Sequence, residues 1–190
     1  MQRKLILPLL LATVAMPVIG ARLQEVQAAP EPGSAAETTS LRDRYREIFN
    51  PGHTDEEEAA LRAKLPFDSI SLQRTPCFGT CPVYSVTLHR NGEAEFEAKE
   101  HLPKLGRFSG KLDVSTYGRL CYLIEQSRFQ DMKDRYQASW TDDTTCIVTV
   151  TGGGKRKEVS DYGSVGPIEL WAIQQIIDSV RESLSWKPVP

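Results

Sequence analysis

The sequence is poor in the residues that most often carry catalysis. Its three histidines, His53, His89 and His101, are scattered, with none paired at metal-ligand spacing. No Gly-x-Ser-x-Gly run occurs, so nothing points to a hydrolase with a nucleophile elbow. A phosphate loop is missing as well. Thr151-Gly152-Gly153-Gly154-Lys155 lacks the four-residue spacing between glycines and continues with Arg156 rather than Ser or Thr, so it reads as a hairpin turn. Neither sign of charge dominates: 23 basic residues stand against 25 acidic ones, which leaves no basic footprint for nucleic acid. Beyond residue 20 the chain has no long apolar run, so no stable membrane span is expected once the leader is removed. On these grounds no catalytic residue, metal site or cofactor is assigned.

What the chain does have begins with an export leader. Arg3 and Lys4 open it, an apolar stretch from Leu5 to Gly20 follows, and small residues come next, so residues 1–21 read as a cleavable signal peptide. The apolar stretch contains Pro8 and Pro17 and is short of the roughly 20 residues a bilayer span needs. Export places the protein in the periplasm or outside the cell, where disulfides are the default state of an even number of cysteines. Residues 22–40, rich in Ala, Pro, Glu, Ser and Thr without apolar period, read as a disordered linker. Residues 41–66 hold two short helices, the second opened by a capping box of Thr54 and Glu57.

Residues 67–187 carry the patterns of one domain. Tyr84, Val86 and Leu88 alternate with polar residues, as do Ala94, Phe96 and Ala98 after Asn91-Gly92. A two-residue turn would set Leu88 against Glu95. A three-residue turn, Arg90-Asn91-Gly92, sets Leu88 against Ala94 and Val86 against Phe96, and so keeps one face apolar. Leu102 to Leu112 reads as a bent third strand. Tyr117, Leu120, Cys121 and Ile124 mark the buried face of a helix. Cys146, Val148 and Val150 begin a second hairpin that turns at Gly152-Gly153-Gly154 and returns through Val159. Leu170, Ile173, Ile177, Val180 and Leu184 stripe a last helix, with Pro167 as its first residue. This order predicts an α+β two-layer sandwich: an antiparallel sheet of about four to five strands with two helices on one face.

The most concentrated chemistry is the run from Arg74 to Tyr84, where Cys77 and Cys81 each stand beside a proline. A local disulfide is one reading, with Gly79 supplying the positive φ that brings the two Cα atoms within reach. A redox-active pair is another, although thioredoxin-type sites use two intervening residues and precede a helix. A third is Cu(I): Cys77-Phe78-Gly79-Thr80-Cys81-Pro82 is similar to the Cys-x-x-x-Cys-Pro site of exported copper-delivery proteins, and His89 or His101 could supply a third ligand. Cys121 and Cys146 fall on core-facing rows of a helix and a strand. Either they form a second disulfide, worth around 3 kcal/mol in the chain-entropy picture, or they are free buried thiols.

The run Ile70 to Tyr84 resembles the hallmark of a bacterial exported domain family of unknown function, marked by Cys-Phe-Gly-x-Cys-Pro-x-Tyr. Further motifs follow in order: Asn91-Gly92, Thr141-Asp142, Asp161-Tyr162 and Trp186. The resemblance spans about residues 68–187 and implies an envelope domain with no known activity, hence no catalytic residues to transfer. The resulting expectation is a non-enzymatic module that binds an envelope protein or surface ligand. Its candidate surface comprises Arg74, Phe78, Thr141, Asp142, Asp161 and Tyr162. The alternative is a thiol-redox or Cu(I)-binding protein working through Cys77 and Cys81.

Overall fold

A computed structural model describes residues 40–190. The expected signal peptide, and the linker as far as residue 39, lie outside the described residues. Ser40, assigned above to the linker, instead caps the first helix by accepting the Asp43 N–H.

The chain opens with α1 (Leu41–Tyr45) and α2 (Asp55–Ala63). The capping box is present: Thr54 accepts the Glu57 N–H, and the Glu57 carboxylate accepts the Thr54 N–H. Four strands follow, β1 (Ser69–Arg74), β2 (Val83–His89), β3 (Glu93–Glu100) and β4 (Gly106–Lys111), and then α3 (Val114–Gln126). A short β5 (Arg135–Gln137), the hairpin β6 (Thr145–Gly152) and β7 (Lys155–Tyr162), α4 (Ile168–Ser183) and a two-residue β8 (Lys187–Pro188) complete it.

All strands join one sheet in the order β5-β7-β6-β1-β2-β3-β4-β8. β1 is central, with one hairpin on each side. The α+β class holds, and the four α-helices among the described residues are the two expected in residues 41–66 and the two expected in the domain, but the sheet there has eight strands rather than four to five. The sheet is also mixed rather than antiparallel, because β5 runs parallel to β7. β5 and β8 escape sequence reading because two or three residues show no period. β1 escaped because its apolar pair, Ile70 and Leu72, is too short to stand out beside the cysteine run.

The first hairpin has the register that the apolar rows demand: Leu88 opposes Ala94, Val86 opposes Phe96 and Tyr84 opposes Ala98. Gly92 has φ of +91° and donates its N–H to the His89 carbonyl at 3.0 Å, closing the three-residue loop. The second hairpin is tighter, with Gly153 and Gly154 alone in the turn, both at positive φ. Pro167 precedes α4 as its N-cap rather than serving as its first turn.

The core lies between the apolar rows of the sheet and the helices. Ile70, Leu72, Val86, Leu88, Val148 and Val159 meet Tyr117, Leu120, Ile124, Leu170, Ile173 and Ile177 in one continuous cluster. Each such side chain contributes roughly 1.5–3 kcal/mol when removed from water. The N-terminal helices belong to this core. Tyr45, Ile48, Leu61 and Leu65 are buried in it, and a Cβ on Gly118 would collide with Ile48. Arg62 pins α2 to the sheet by donating to the carbonyls of Arg90 at 3.0 Å and Leu112 at 2.8 Å, while it pairs with Glu58.

Candidate functional site

The chemistry foreseen around the cysteines gathers at one end of the sheet, where β1 and β7 finish and β2 and β6 begin. Cys77 and Cys81 are bonded, their Cα atoms 5.8 Å apart. The Gly79 N–H donates to the Cys77 carbonyl at 2.9 Å, which makes a three-residue γ-turn with Phe78 at its apex. Gly79 itself is nearly extended, φ 159°. The bend therefore comes from the γ-turn rather than from a left-handed glycine. The turn holds the Phe78 ring out in solvent, 89% exposed.

Thr75 ties this loop to the start of β6. Its hydroxyl accepts the Thr145 N–H at 2.9 Å, its N–H donates to the Thr145 carbonyl, and its own carbonyl accepts the Thr144 hydroxyl at 2.7 Å. The loop before β6 is held in turn by β7, since the Asp143 N–H donates to Tyr162 Oη at 3.1 Å. Thr141 and Asp142 are exposed at the tip of that loop, Asp142 with φ of +72°, and the Thr141 hydroxyl donates to the Asp142 carboxylate. Trp140 donates its indole N–H to Asp143 at 3.1 Å and lies against Gly163.

Two of the six candidate surface residues point elsewhere. Asp161 is 2% exposed and belongs to no surface. One of its oxygens accepts the Gly166 N–H at 2.9 Å and the other accepts the Gln174 side-chain amide at 3.1 Å. It seats the turn into α4, which explains why a carboxylate is buried beside Val159 on β7. Arg74 turns towards α4. Its Nη2 stands 2.6 Å and its Nε 3.1 Å from Asp178 Oδ2, and Nε also donates to Tyr84 Oη at 3.0 Å. The Tyr84 hydroxyl donates to the other Asp178 oxygen. Burial, and then that bond to Asp178, push the Tyr84 phenol up to about 12. The Arg181 guanidinium lies over the Tyr84 ring, 4.7 Å from its centroid. Arg74, Tyr84 and Asp178 are bonded to one another, so they clamp α4 to β1 and β2.

Asp178 and Arg181 were not legible as a site, although Gln174, Asp178 and Arg181 form a polar ridge at i, i+4, i+7 beside the apolar stripe of α4. Next to the clamp opens a groove of about 820 Å³, bordered by Cys81, His101, Thr144 and Gln175 among others. His89 is elsewhere: it pairs with Ser69 at the far end of β2, with its Nε2 3.3 Å from a Glu95 oxygen. It is therefore excluded as a ligand partner for Cys81. Among the described residues no three His, Cys, Asp or Glu side chains converge as a metal site.

The second disulfide does not form. Cys121 and Cys146 are free and fully buried. Both face the core, as their rows predict, but into different neighbourhoods. Cys121 sits on α3 with Tyr45, Tyr117 and Glu125 near it, whereas Cys146 lies beneath Arg74, Asp178 and Asp161. Burial pushes the Cys146 thiol up to about 12 and raises Cys121 as well, so both stay protonated and unreactive.

Residues 68–181 match a domain of unknown function, DUF6438. The chain belongs to this family. The matched stretch begins just before β1 and stops near the end of α4, so α1, α2 and β8 lie outside the DUF6438 match. No curated protein matches the chain.

Proposed function

We propose that this DUF6438 chain is an exported, non-enzymatic module that binds an envelope protein through the cysteine end of its sheet. The observation that carries the reading is the set of large apolar side chains left in water there. Phe78 on the disulfide loop, Trp140 on the loop before β6, and Val165, Ile168 and Trp171 around the start of α4 are all exposed, Ile168 to 68%. They stand on three segments near the Thr75, Tyr162 and Gly163 contacts described above. Aromatic anchors on a braced surface suit protein recognition, because little conformational entropy remains to be lost on binding. Crosslinking and capture from envelope extracts test this with wild type, Phe78→Ala and Trp171→Ala compared. The reading expects partner recovery to fall in both variants at an unchanged melting temperature. Equal recovery from all three proteins sinks it.

A second reading is favoured by one observation: the Cys77–Cys81 bond is only half-buried, and Cys81 borders the groove together with His101. Such accessible disulfides include the labile, redox-active ones. Intact mass after thiol alkylation across a glutathione series separates the two. A bond opening near about −200 mV supports thiol exchange or Cu(I) uptake by the reduced pair, and one resisting to about −300 mV supports a structural brace.

A further inference from the structure

The disulfide loop is held at its two ends and nowhere between. Thr75 is bonded to Thr144 and Thr145, and Val83 enters β2 opposite Glu100. From Pro76 to Pro82 no residue is hydrogen-bonded to another element among the described residues. Pro76 and Pro82 have no N–H to give, the Gly79 N–H closes on the Cys77 carbonyl, and the Pro76 carbonyl meets only the neighbouring Thr75 hydroxyl at 3.5 Å. Packing adds little. Pro76, Phe78, Gly79, Thr80 and Pro82 are exposed, and a Cβ on Gly79 would meet nothing beyond its chain neighbours except Cys77 Sγ, at 3.8 Å. Among the described residues, the Cys77–Cys81 bond is therefore the one crosslink that fixes how Phe78 is presented.

That bond is within reach of a reductant. Both cysteines are half-buried rather than enclosed, and Cys81 borders the groove beside the clamp. The two free thiols, Cys121 and Cys146, are buried, so neither competes for a reagent in the folded protein. We propose that the Cys77–Cys81 bond is a redox gate for the surface at Phe78: closed, it presents the ring for docking, and opened by a dithiol reductant it frees residues 76–82 and switches docking off. This rests on the surface reading above. In the opening step a thiolate of the reductant attacks Cys81 Sγ from the groove, and Cys77 Sγ leaves as a thiolate that takes up a proton. The reductant's second thiolate then attacks its own sulfur in the mixed disulfide, and Cys81 leaves and is protonated in turn. The two hydrogens of the dithiol have then passed to the cysteine pair, and the reductant departs as a disulfide. Residues freed in this way must be ordered again on binding, which weakens docking by at least about tenfold.

The first test needs no partner. Dithiothreitol, a dithiol, is applied to the folded protein, iodoacetamide follows, and the modified cysteines are mapped by mass. Cys77 and Cys81 are expected to be modified, with Cys121 and Cys146 untouched. Chymotrypsin is then expected to cut after Phe78 at least about tenfold faster than in the oxidised protein, because a freed loop can extend into the protease. A Cys77→Ser, Cys81→Ser protein, which carries no alkyl group, should be cut at the same raised rate while its melting curve shows that it is folded. A bond that resists millimolar dithiothreitol in the folded protein overturns the proposal, as does equal cleavage of the open and closed forms. Capture from envelope extracts then compares the oxidised protein with the double-serine protein and with Phe78→Ala, and the double-serine protein is expected to recover as little partner as Phe78→Ala. Equal recovery from the oxidised and double-serine proteins, with recovery lost in Phe78→Ala, overturns the gate and leaves the surface reading standing. Recovery indifferent to Phe78→Ala removes the surface reading, and with it the docking role of the gate.

Discussion

The two cysteine pairs of this chain have opposite fates. Cys77 and Cys81 lie four residues apart outside the sheet, in a loop that bends through a γ-turn at Phe78, and they are bonded. Cys121 and Cys146 lie on regular elements whose rows both face the core, and they are free. A shared core is a weak constraint, because a helix laid across a sheet offers many neighbours to each inward side chain. A tight turn between two thiols is a strong one, because the chain itself brings them together. The bonded pair braces a surface, while the free pair fills space as two small apolar side chains.

That contrast can be broken or sharpened by substitution. The largest effect is expected at the clamp above Cys146. Asp178→Ala strands Arg74 and the Tyr84 hydroxyl in a largely buried position, and the loss of about 3 kcal/mol is read as a lower denaturant midpoint. Next come the cysteines themselves. Cys121→Ser places a hydroxyl in a site with no exposure, at a cost of roughly 1–3 kcal/mol. The double change Cys77→Ser with Cys81→Ser opens a ring so small that the chain-entropy model allows about 2 kcal/mol. Intact-mass alkylation sharpens the same contrast: two thiols should react after denaturation without reductant, and none in the native protein.

The smallest effect is a decline of stability in alkali. The Tyr84 phenol and the Cys146 thiol are both held protonated in the fold, each raised to about 12 from ordinary values near 10 and 9. Their contribution is complete below those ordinary values and is lost as pH climbs through about 12. The melting temperature should therefore slip by a few degrees between pH 9 and 11. Cys146→Ala should make that decline shallower without moving its onset, because burial holds the Cys121 thiol protonated in the same way, and a profile flat to pH 11 contradicts this account.

Much of the fold could be read because burial imposes a period. The register of the first hairpin followed from keeping Glu95 off the apolar face, and Tyr117, Leu120, Cys121 and Ile124 stood at helical spacing. What could not be read were pairings that leave no period: the parallel contact of Arg135–Gln137 with β7, and the return of Lys187 to β4. At the candidate site, Phe78, Thr141 and Asp142 proved to be surface residues, but Asp161 did not. An aspartate in a strand looks alike whether it faces solvent or accepts two hydrogen bonds inside. Asp178 and Trp171 passed unnoticed because each belongs to a helix whose apolar stripe dominates its pattern, and their partners lie on remote segments.

The central position of β1 also bears on the time course of folding. One of its edges meets β2 across a short loop, but the other waits for β6, where Ser69 and Thr151 join hydroxyls across 82 residues of chain. The meander from β1 to β4 can form from local contacts, while closure of the long loop to β6 carries the entropic cost that slows folding. Until β6 arrives, Ile70 and Leu72 lie along an open strand edge, the state in which chains associate wrongly. The rate of β6 docking thus sets how long the newly made chain remains exposed to aggregation.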